Sequence, residues 1–297
     1  MEHDRFMSQG KVFLVTGATR GIGRGTAFAL ARQGADVVLV GRSAQRLKET
    51  AQAIQAEGGR GGTVRCITAD LSTQAGVRAA AESLLESHTR LDALINNVGA
   101  TILRYQETAE GMEMTWALNY LGHFTLTHLL LGLLKKTAAE VGEARIVEVS
   151  SNMCRMADPR FPKLQGKQGY QGVLAYAQSK LAMNMFVLEM ARRLHGTGVA
   201  VNAVTPGLVR TEIAGDNGLW AGAMMRVLNL FAKPVEKGVL PIAYLASDPR
   251  ARGVTGKYFR GFREDLPNLE WQDPANVLRL WAMSERMTGL AANLENH

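Results

Sequence analysis

Six short runs of aliphatic and β-branched residues recur along the chain: VFLVT (12–16), DVVLV (36–40), TVRCIT (63–68), LDALI (91–95), ARIVEVS (144–150) and VAVNAVT (199–205). Each run is continuous rather than alternating, the pattern of strands buried on both faces of a parallel sheet. Between them lie amphipathic stretches such as GRGTAFALARQG (23–34) and SAQRLKETAQAIQAEG (43–58), whose spacing predicts helices. Strand–helix alternation of this kind argues for an α/β fold, a doubly wound sheet with right-handed crossovers. No linker, repeat or low-complexity tract divides the chain, so residues 1–297 read as a single domain.

One apolar stretch breaks the rhythm. Met114 to Leu134 runs without Asp, Glu, Lys or Arg, long enough to span a bilayer. Asn119, His123, His128 and three threonines within it would be costly in hydrocarbon, so a buried or interface helix is expected. The opening residues, MEHDRFMSQGKVFLV, read as neither a signal peptide nor a membrane anchor, and no stable membrane insertion is expected.

Composition narrows the class. A hydrophobic fraction of 46% with 21% charged residues fits a soluble globular protein and excludes a disordered chain, a collagen or a coiled coil. The net charge of +7 is dispersed, without a basic run interleaved with aromatics, so no nucleic-acid partner is expected. Cys66 and Cys154 alone cannot form a disulfide framework, and a reducing, cytoplasmic location is expected. There is no HExxH, Cys/His cluster or carboxylate cage, and His123 and His128, five apart, do not share a helix face. No catalytic metal is expected.

The first strand runs straight into Thr16-Gly17-Ala18-Thr19-Arg20-Gly21-Ile22-Gly23, and a helix follows at once. Gly17 permits a tight turn, Gly21 lets the backbone approach a pyrophosphate, and Gly23 allows close helix–strand packing. The amides and dipole at the helix start then face the anion, with Gly17, Thr19, Arg20, Gly21, Ile22 and Gly23 as its contacts. An acidic residue ending the second strand would accept from a ribose 2′-hydroxyl and repel a 2′-phosphate. Here the segment reads Val40-Gly41-Arg42-Ser43, with glycine in that place and Arg42 beside it. Two guanidinium groups, Arg20 and Arg42, and no carboxylate favour NADP(H) over NAD(H).

Farther along come Asn96-Asn97-Val98-Gly99 after the fourth strand, Asn119 in the uncharged helix, Ser150-Ser151 ending the fifth strand, and Tyr176-Ala177-Gln178-Ser179-Lys180 opening another helix. Together with TGATRGIG, this ordered set resembles the short-chain dehydrogenase/reductase family across roughly residues 10–260. Val98 stands where the family usually has Ala. The resemblance implies a Rossmann-type sheet of seven parallel strands ordered 3-2-1-4-5-6-7. It selects Ser151 rather than Ser150 as catalytic, gives Asn119 a water linking Lys180 to solvent, and has Lys180 bind the nicotinamide ribose. It further implies that Asp70-Leu71 meets the adenine and that Asn97 and Gly99 line the ribose side. Thr205-Pro206-Gly207-Leu208-Val209-Arg210-Thr211 matches the family's nicotinamide loop, with Pro206, Gly207, Val209 and Thr211 as contacts.

The residues carry a chemical argument of their own. Tyr176 and Lys180 are four apart, so on a helix they share a face. An ammonium there would favour the phenolate and lower the phenol from its usual pKa of about 10. Tyr176 could then give a proton to a carbonyl or take one from an alcohol. Ser151 would hydrogen-bond the oxygen where charge develops.

The long segment between Ser151 and Tyr176 carries Phe-Pro-x-Leu-Gln. With Asn119-Tyr120-Leu121-Gly122-His123-Phe124, SKLAM (179–183), GKYF (256–259) and LRLWAMSERMTGL (278–290), it is similar to the retinol-dehydrogenase-like branch. Residues 212–233, with Trp220, Met224, Met225, Leu228 and Phe231, read as a substrate lid with an adaptable apolar face. Residues 264–297 read as a helical extension. The expected substrate is therefore a small apolar carbonyl or alcohol. The alternatives are a non-catalytic NADP-sensing protein, or an epimerase or dehydratase that retains its cofactor. The resemblance also implies a homodimer or homotetramer, built by pairing the helices around Met114–Leu134 and Tyr176 across a two-fold axis.

Overall fold

The computed structural model describes residues 8–57, 62–159, 166–207, 234–265 and 269–290. Its sheet is ordered 3-2-1-4-5-6-7-8. The strands are β1 (Val12–Thr16), β2 (Asp36–Gly41), β3 (Val64–Thr68), β4 (Ala93–Asn96), β5 (Ala144–Val149), β6 (Val199–Thr205), β7 (Tyr258–Arg260) and β8 (Arg263–Glu264). All pairings are parallel as far as β7. The eighth strand corrects the expected seven. After β7 the chain reverses through Gly261, whose φ of 64° is left-handed, and Arg263–Glu264 pairs back antiparallel.

β1 shows why the strand runs are continuous. Val12 and Leu14 pack into the layer on one face of the sheet, and Phe13 and Val15 into the layer on the other. β3 departs from this pattern, because as the edge strand it leaves Arg65, Cys66 and Thr68 exposed. The helices are α1 (Gly21–Arg32), α2 (Ala44–Ala56), α3 (Gln74–Ser87), α4 (Met114–Trp116), α5 (Gly122–Val141), α6 (Gly172–Arg193), α7 (Val235–Ser247) and α8 (Pro274–Thr288). Ser43 and Thr73 cap α2 and α3, each hydroxyl accepting from a backbone N–H three residues on, at 3.3 and 3.1 Å.

The uncharged stretch forms α4, a π-helical turn at Ala117–Leu121, and α5. By length and composition Met114–Val141 could cross a membrane, yet 72% of its apolar window is buried within the fold. Its threonines have partners: Thr125 donates to Gln74 Oε1 at 2.8 Å, and Thr127 accepts from Asn96 Nδ2 at 3.0 Å. The chain's own α8 packs over part of α5 and α6. Trp281 stacks on Phe186 with centroids 5.9 Å apart and meets Phe124 edge-on at 5.2 Å, while the Tyr120 and Ser284 hydroxyls lie 2.7 Å apart.

Candidate active site

At the carboxyl edge of the sheet the winding reverses between β1 and β4, the crevice where open α/β sheets bind ligands. Gly17 and Gly21 hold left-handed φ values of 67° and 53° as β1 turns into α1. Gly23 is confined more tightly still, since a Cβ there would lie 2.4 Å from both the Gly17 carbonyl oxygen and Asn97 Nδ2. The α1 N-terminus has no side-chain cap at Arg20 and no acidic residue in its first turn, leaving the positive end of the helix dipole unneutralised. Thr19 and Ile22 are partly buried around this turn. A Cβ on Gly41 would touch Thr19 Cγ2 at 3.0 Å, so the glycine loop abuts the end of β2. Arg20 and Arg42, the residues that follow at these two contacts, are both exposed on this rim. A cradle without Cβ atoms, an uncapped helix start and a cationic rim fit a dinucleotide.

Asn97 works as a stitch. Its amide Nδ2 donates to the Thr16 carbonyl at 2.8 Å, while the backbone N–H groups of Asn97 and Val98 donate to Thr16 Oγ1 at 2.9 and 3.0 Å. Asp70 is exposed and its Oδ1 accepts from Ser72 N and Oγ at 3.0 and 2.7 Å. Leu71 is buried. Pro206 and exposed Gly207, with φ 82°, follow β6 at the same edge. Val209, Thr211 and the expected lid at 212–233 lie outside the described residues.

The other end of the crevice is buried. Ser151 follows β5, caps the short 3-10 turn Asn152–Met156 by accepting from Met153 N at 3.3 Å, and hydrogen-bonds Tyr176. Ser150 is buried behind it. Its N–H donates to the Val204 carbonyl at 2.8 Å. Tyr176 and Lys180 share a face of α6, Lys180 Nζ lying 5.8 Å from the tyrosine ring centroid. Asn119 sits in the π turn, where its amide brackets Ala100: Oδ1 accepts from Ala100 N at 2.8 Å and Nδ2 donates to Ala100 O at 2.9 Å. Nδ2 also lies 3.1 Å from Ser179 Oγ. π turns recur at functional sites because they shift one side chain's position along a helix. Gly99 fits between Asn119 and Lys180, since a Cβ there would come 3.3 Å from Asn119 Oδ1 and 3.4 Å from Lys180 Nζ.

The electrostatics differ from the sequence expectation. Burial pushes the Tyr176 hydroxyl above its usual value; the bond from Ser151 lowers it, and Cys154 adds to the rise. Burial also brings Lys180 down to about 8, against the opposing pull of Glu148 and Cys154. Lys180 Nζ donates to the Val149 carbonyl at 2.8 Å. Desolvation, rather than the neighbouring ammonium, sets the direction for the phenol. Cys154 is fully buried and its thiol is pushed up to about 11, as befits an inert core group.

Sequence reasoning missed two carboxylates. Glu148, wholly buried in β5, accepts from Asn96 Nδ2 at 2.7 Å and meets His123 Nδ1 at 2.9 Å. Glu113, also buried, accepts from Thr115 N, Trp116 N and the Tyr170 hydroxyl at 2.8, 2.7 and 2.9 Å. Tyr170 thereby ties the segment before α6 to the start of α4. A glutamate inside the apolar run ARIVEVS was the available signal, because a buried carboxylate needs a partner.

The short chain dehydrogenase family model matches residues 11–221. Human retinol dehydrogenase 14 is 39% identical over 305 residues, covering 97% of this chain and 89% of that protein. The crystal structure of an uncharacterised protein from Mycobacterium paratuberculosis superposes with TM-score 0.75 at 28% identity, covering 95% of this chain and 94% of that one. The Pseudomonas aeruginosa RhlG/NADP active-site complex gives TM-score 0.68 at 28% identity, with 86% and 96% covered. With the sheet order, the glycine cradle and the Ser–Tyr–Lys grouping already in place, these likenesses assign the chain to the oxidoreductases of the short-chain dehydrogenase/reductase family, in its retinol-dehydrogenase-like branch.

Proposed function

We propose that this protein is an NADP(H)-dependent oxidoreductase that interconverts an apolar aldehyde or ketone and its alcohol. The observation that carries the reading is the convergence of Ser151, Tyr176 and Lys180 at the carboxyl edge of the sheet, with the Ser151 hydroxyl on Tyr176. When bound, the nicotinamide cofactor supplies or accepts the hydride. Tyr176, buried and held in its neutral form, gives its proton to the substrate oxygen in reduction and recovers it in oxidation. Ser151 donates a hydrogen bond to that oxygen as charge develops there. Lys180 holds a positive charge beside the phenol, and Asn119 fixes the backbone at Ala100 through both of its amide atoms.

Arg42 and Arg20 on the rim, with no carboxylate ending β2, support a 2′-phosphorylated cofactor; the NADP bound in RhlG is consistent with it. Exposed Met156, Val173 and Leu174 support an apolar substrate, since they border Ser151 and Tyr176 in sequence on the 3-10 turn and the first turn of α6. The retinol named in the relatives points the same way. The test is nicotinamide oxidation with a panel of apolar aldehydes and ketones, retinal included, against sugars of similar size. Turnover of the apolar panel with NADPH well above NADH is expected; turnover confined to sugars, or a preference for NADH, would contradict it.

A further inference from the structure

The β7–β8 hairpin, with the segment GKYF (256–259) at its start, takes no part in the proposed chemistry, yet it grips the turn that follows Ser151. That turn is built on Ser151 itself: Oγ accepts from Met153 N at 3.3 Å, and the carbonyl accepts from Cys154 N at 3.2 Å. Tyr258, in β7 and 5% exposed, donates its hydroxyl hydrogen to Asn152 Oδ1 at 3.0 Å. The same hydroxyl meets the buried Cys154 thiol. Asp265, just past β8, accepts from Arg155 Nη2 at 2.8 Å, and its own N–H donates to the Tyr258 carbonyl at 2.9 Å. Hairpin and turn are thus joined at Asn152, Cys154 and Arg155.

On its other side Ser151 is fixed by the sheet. β5 is paired along both edges, and the Ser150 N–H donates to the Val204 carbonyl at 2.8 Å. The short 3-10 turn beyond it has poorer internal hydrogen bonds, so its course depends on what holds it from outside. We propose that Tyr258 and Asp265 are positioning residues: through Asn152, Cys154 and Arg155 the β7–β8 hairpin clamps this turn and so aims the Ser151 hydroxyl at the substrate oxygen. The two links are unequal. Burial pushes the Tyr258 hydroxyl well above the usual tyrosine value, so it stays a donor. The Arg155–Asp265 pair is partly in water, with side chains 37% and 20% exposed, and Asp265 also meets Arg260 Nε at 3.6 Å. An ion pair so placed is screened, which leaves Tyr258 as the stronger link. The inference rests on the reductase reading for its consequence in catalysis, whereas the clamp itself does not.

Tyr258→Phe tests it, since phenylalanine keeps the buried ring and leaves exposed Asn152 to water. The kcat for the best carbonyl should fall about tenfold, inside the roughly 10²-fold that a misplaced catalytic group can cost, with KM changed by less than about twofold. The decisive arm adds Ser151→Ala. A clamp that acts through Ser151 has nothing left to aim in that background, so Tyr258→Phe should there cost less than about twofold. Losses that multiply in full, or a Tyr258→Phe protein with the wild-type kcat, would overturn the proposal. A second readout needs no turnover: exchange of the Met153 and Cys154 amide hydrogens, followed by NMR, should quicken at least about threefold in Tyr258→Phe relative to the amides of β5. Unchanged exchange at both positions would overturn it equally. Asp265→Asn cuts the other link while keeping Tyr258, and carries both measurements should Tyr258→Phe fail to fold, with a loss in kcat of about threefold expected. Exchange is read without substrate, so a wild type that reduces nothing would sink the reductase reading alone.

Discussion

At the β1–α1 end of the crevice the groups suited to an anion are backbone amides and exposed guanidinium groups, whereas at the α6 end the proton-bearing groups Tyr176 and Lys180 are buried. The first end is set by backbone shape: Gly17 and Gly21 in left-handed conformations and Gly23 without space for a Cβ. The second is set by desolvation, which raises Tyr176 and lowers Lys180, with Glu148 opposing the loss of the ammonium. Exposed charges act through water and are screened by salt; buried ones are not, and each must be matched by a partner. Damage to the two ends should therefore look different.

The largest disruption at the phosphate end should come from Gly23→Ala. Its Cβ would enter the space of the Gly17 carbonyl and the Asn97 amide, and overpacking of this sort costs about 1–3 kcal/mol or more. Denaturant unfolding should show that loss, and dinucleotide affinity should fall with it because the cradle must shift. A smaller and more selective effect is expected of Arg42→Ala. The protein should fold normally and lose about tenfold in its preference for NADPH over NADH, as for one charge-assisted contact in partial solvent. That difference should shrink further as salt is raised, while the turnover number of the saturated enzyme stays put. A turnover number that follows the salt would erase the distinction between the ends.

How far each end could be read beforehand follows from the same contrast. TGATRGIG is legible because a left-handed backbone and a packed helix start leave glycine as the fitting residue, and a run of adjacent positions holds the whole feature. Asn119, Ser151, Tyr176 and Lys180 stand out in the sequence through the order of their motifs, and the shared face of Tyr176 and Lys180 through helical spacing. The direction of the Tyr176 shift does not, because it depends on burial that only the assembled layers create. The Glu148–His123 pair joins residues 25 positions apart on different elements, and no local pattern encodes it. Strand β8 rests on a two-residue pairing after Gly261, too short for a periodic signal, and the exposure of β3 follows from its place at the sheet edge. The packing of Trp281 over Phe186 and Phe124 likewise needed the tertiary structure, although the C-terminal segment was expected to be helical.

The central claim is that binding and proton transfer are housed separately, with Tyr176 carrying the second. Tyr176→Phe removes only the hydroxyl and leaves the glycine cradle and the arginine rim untouched. Calorimetry should find NADPH bound as tightly as by the wild type, while reduction of the best apolar carbonyl falls by about 10²–10⁴-fold, the range for loss of a general acid. Turnover that survives the substitution would contradict the account.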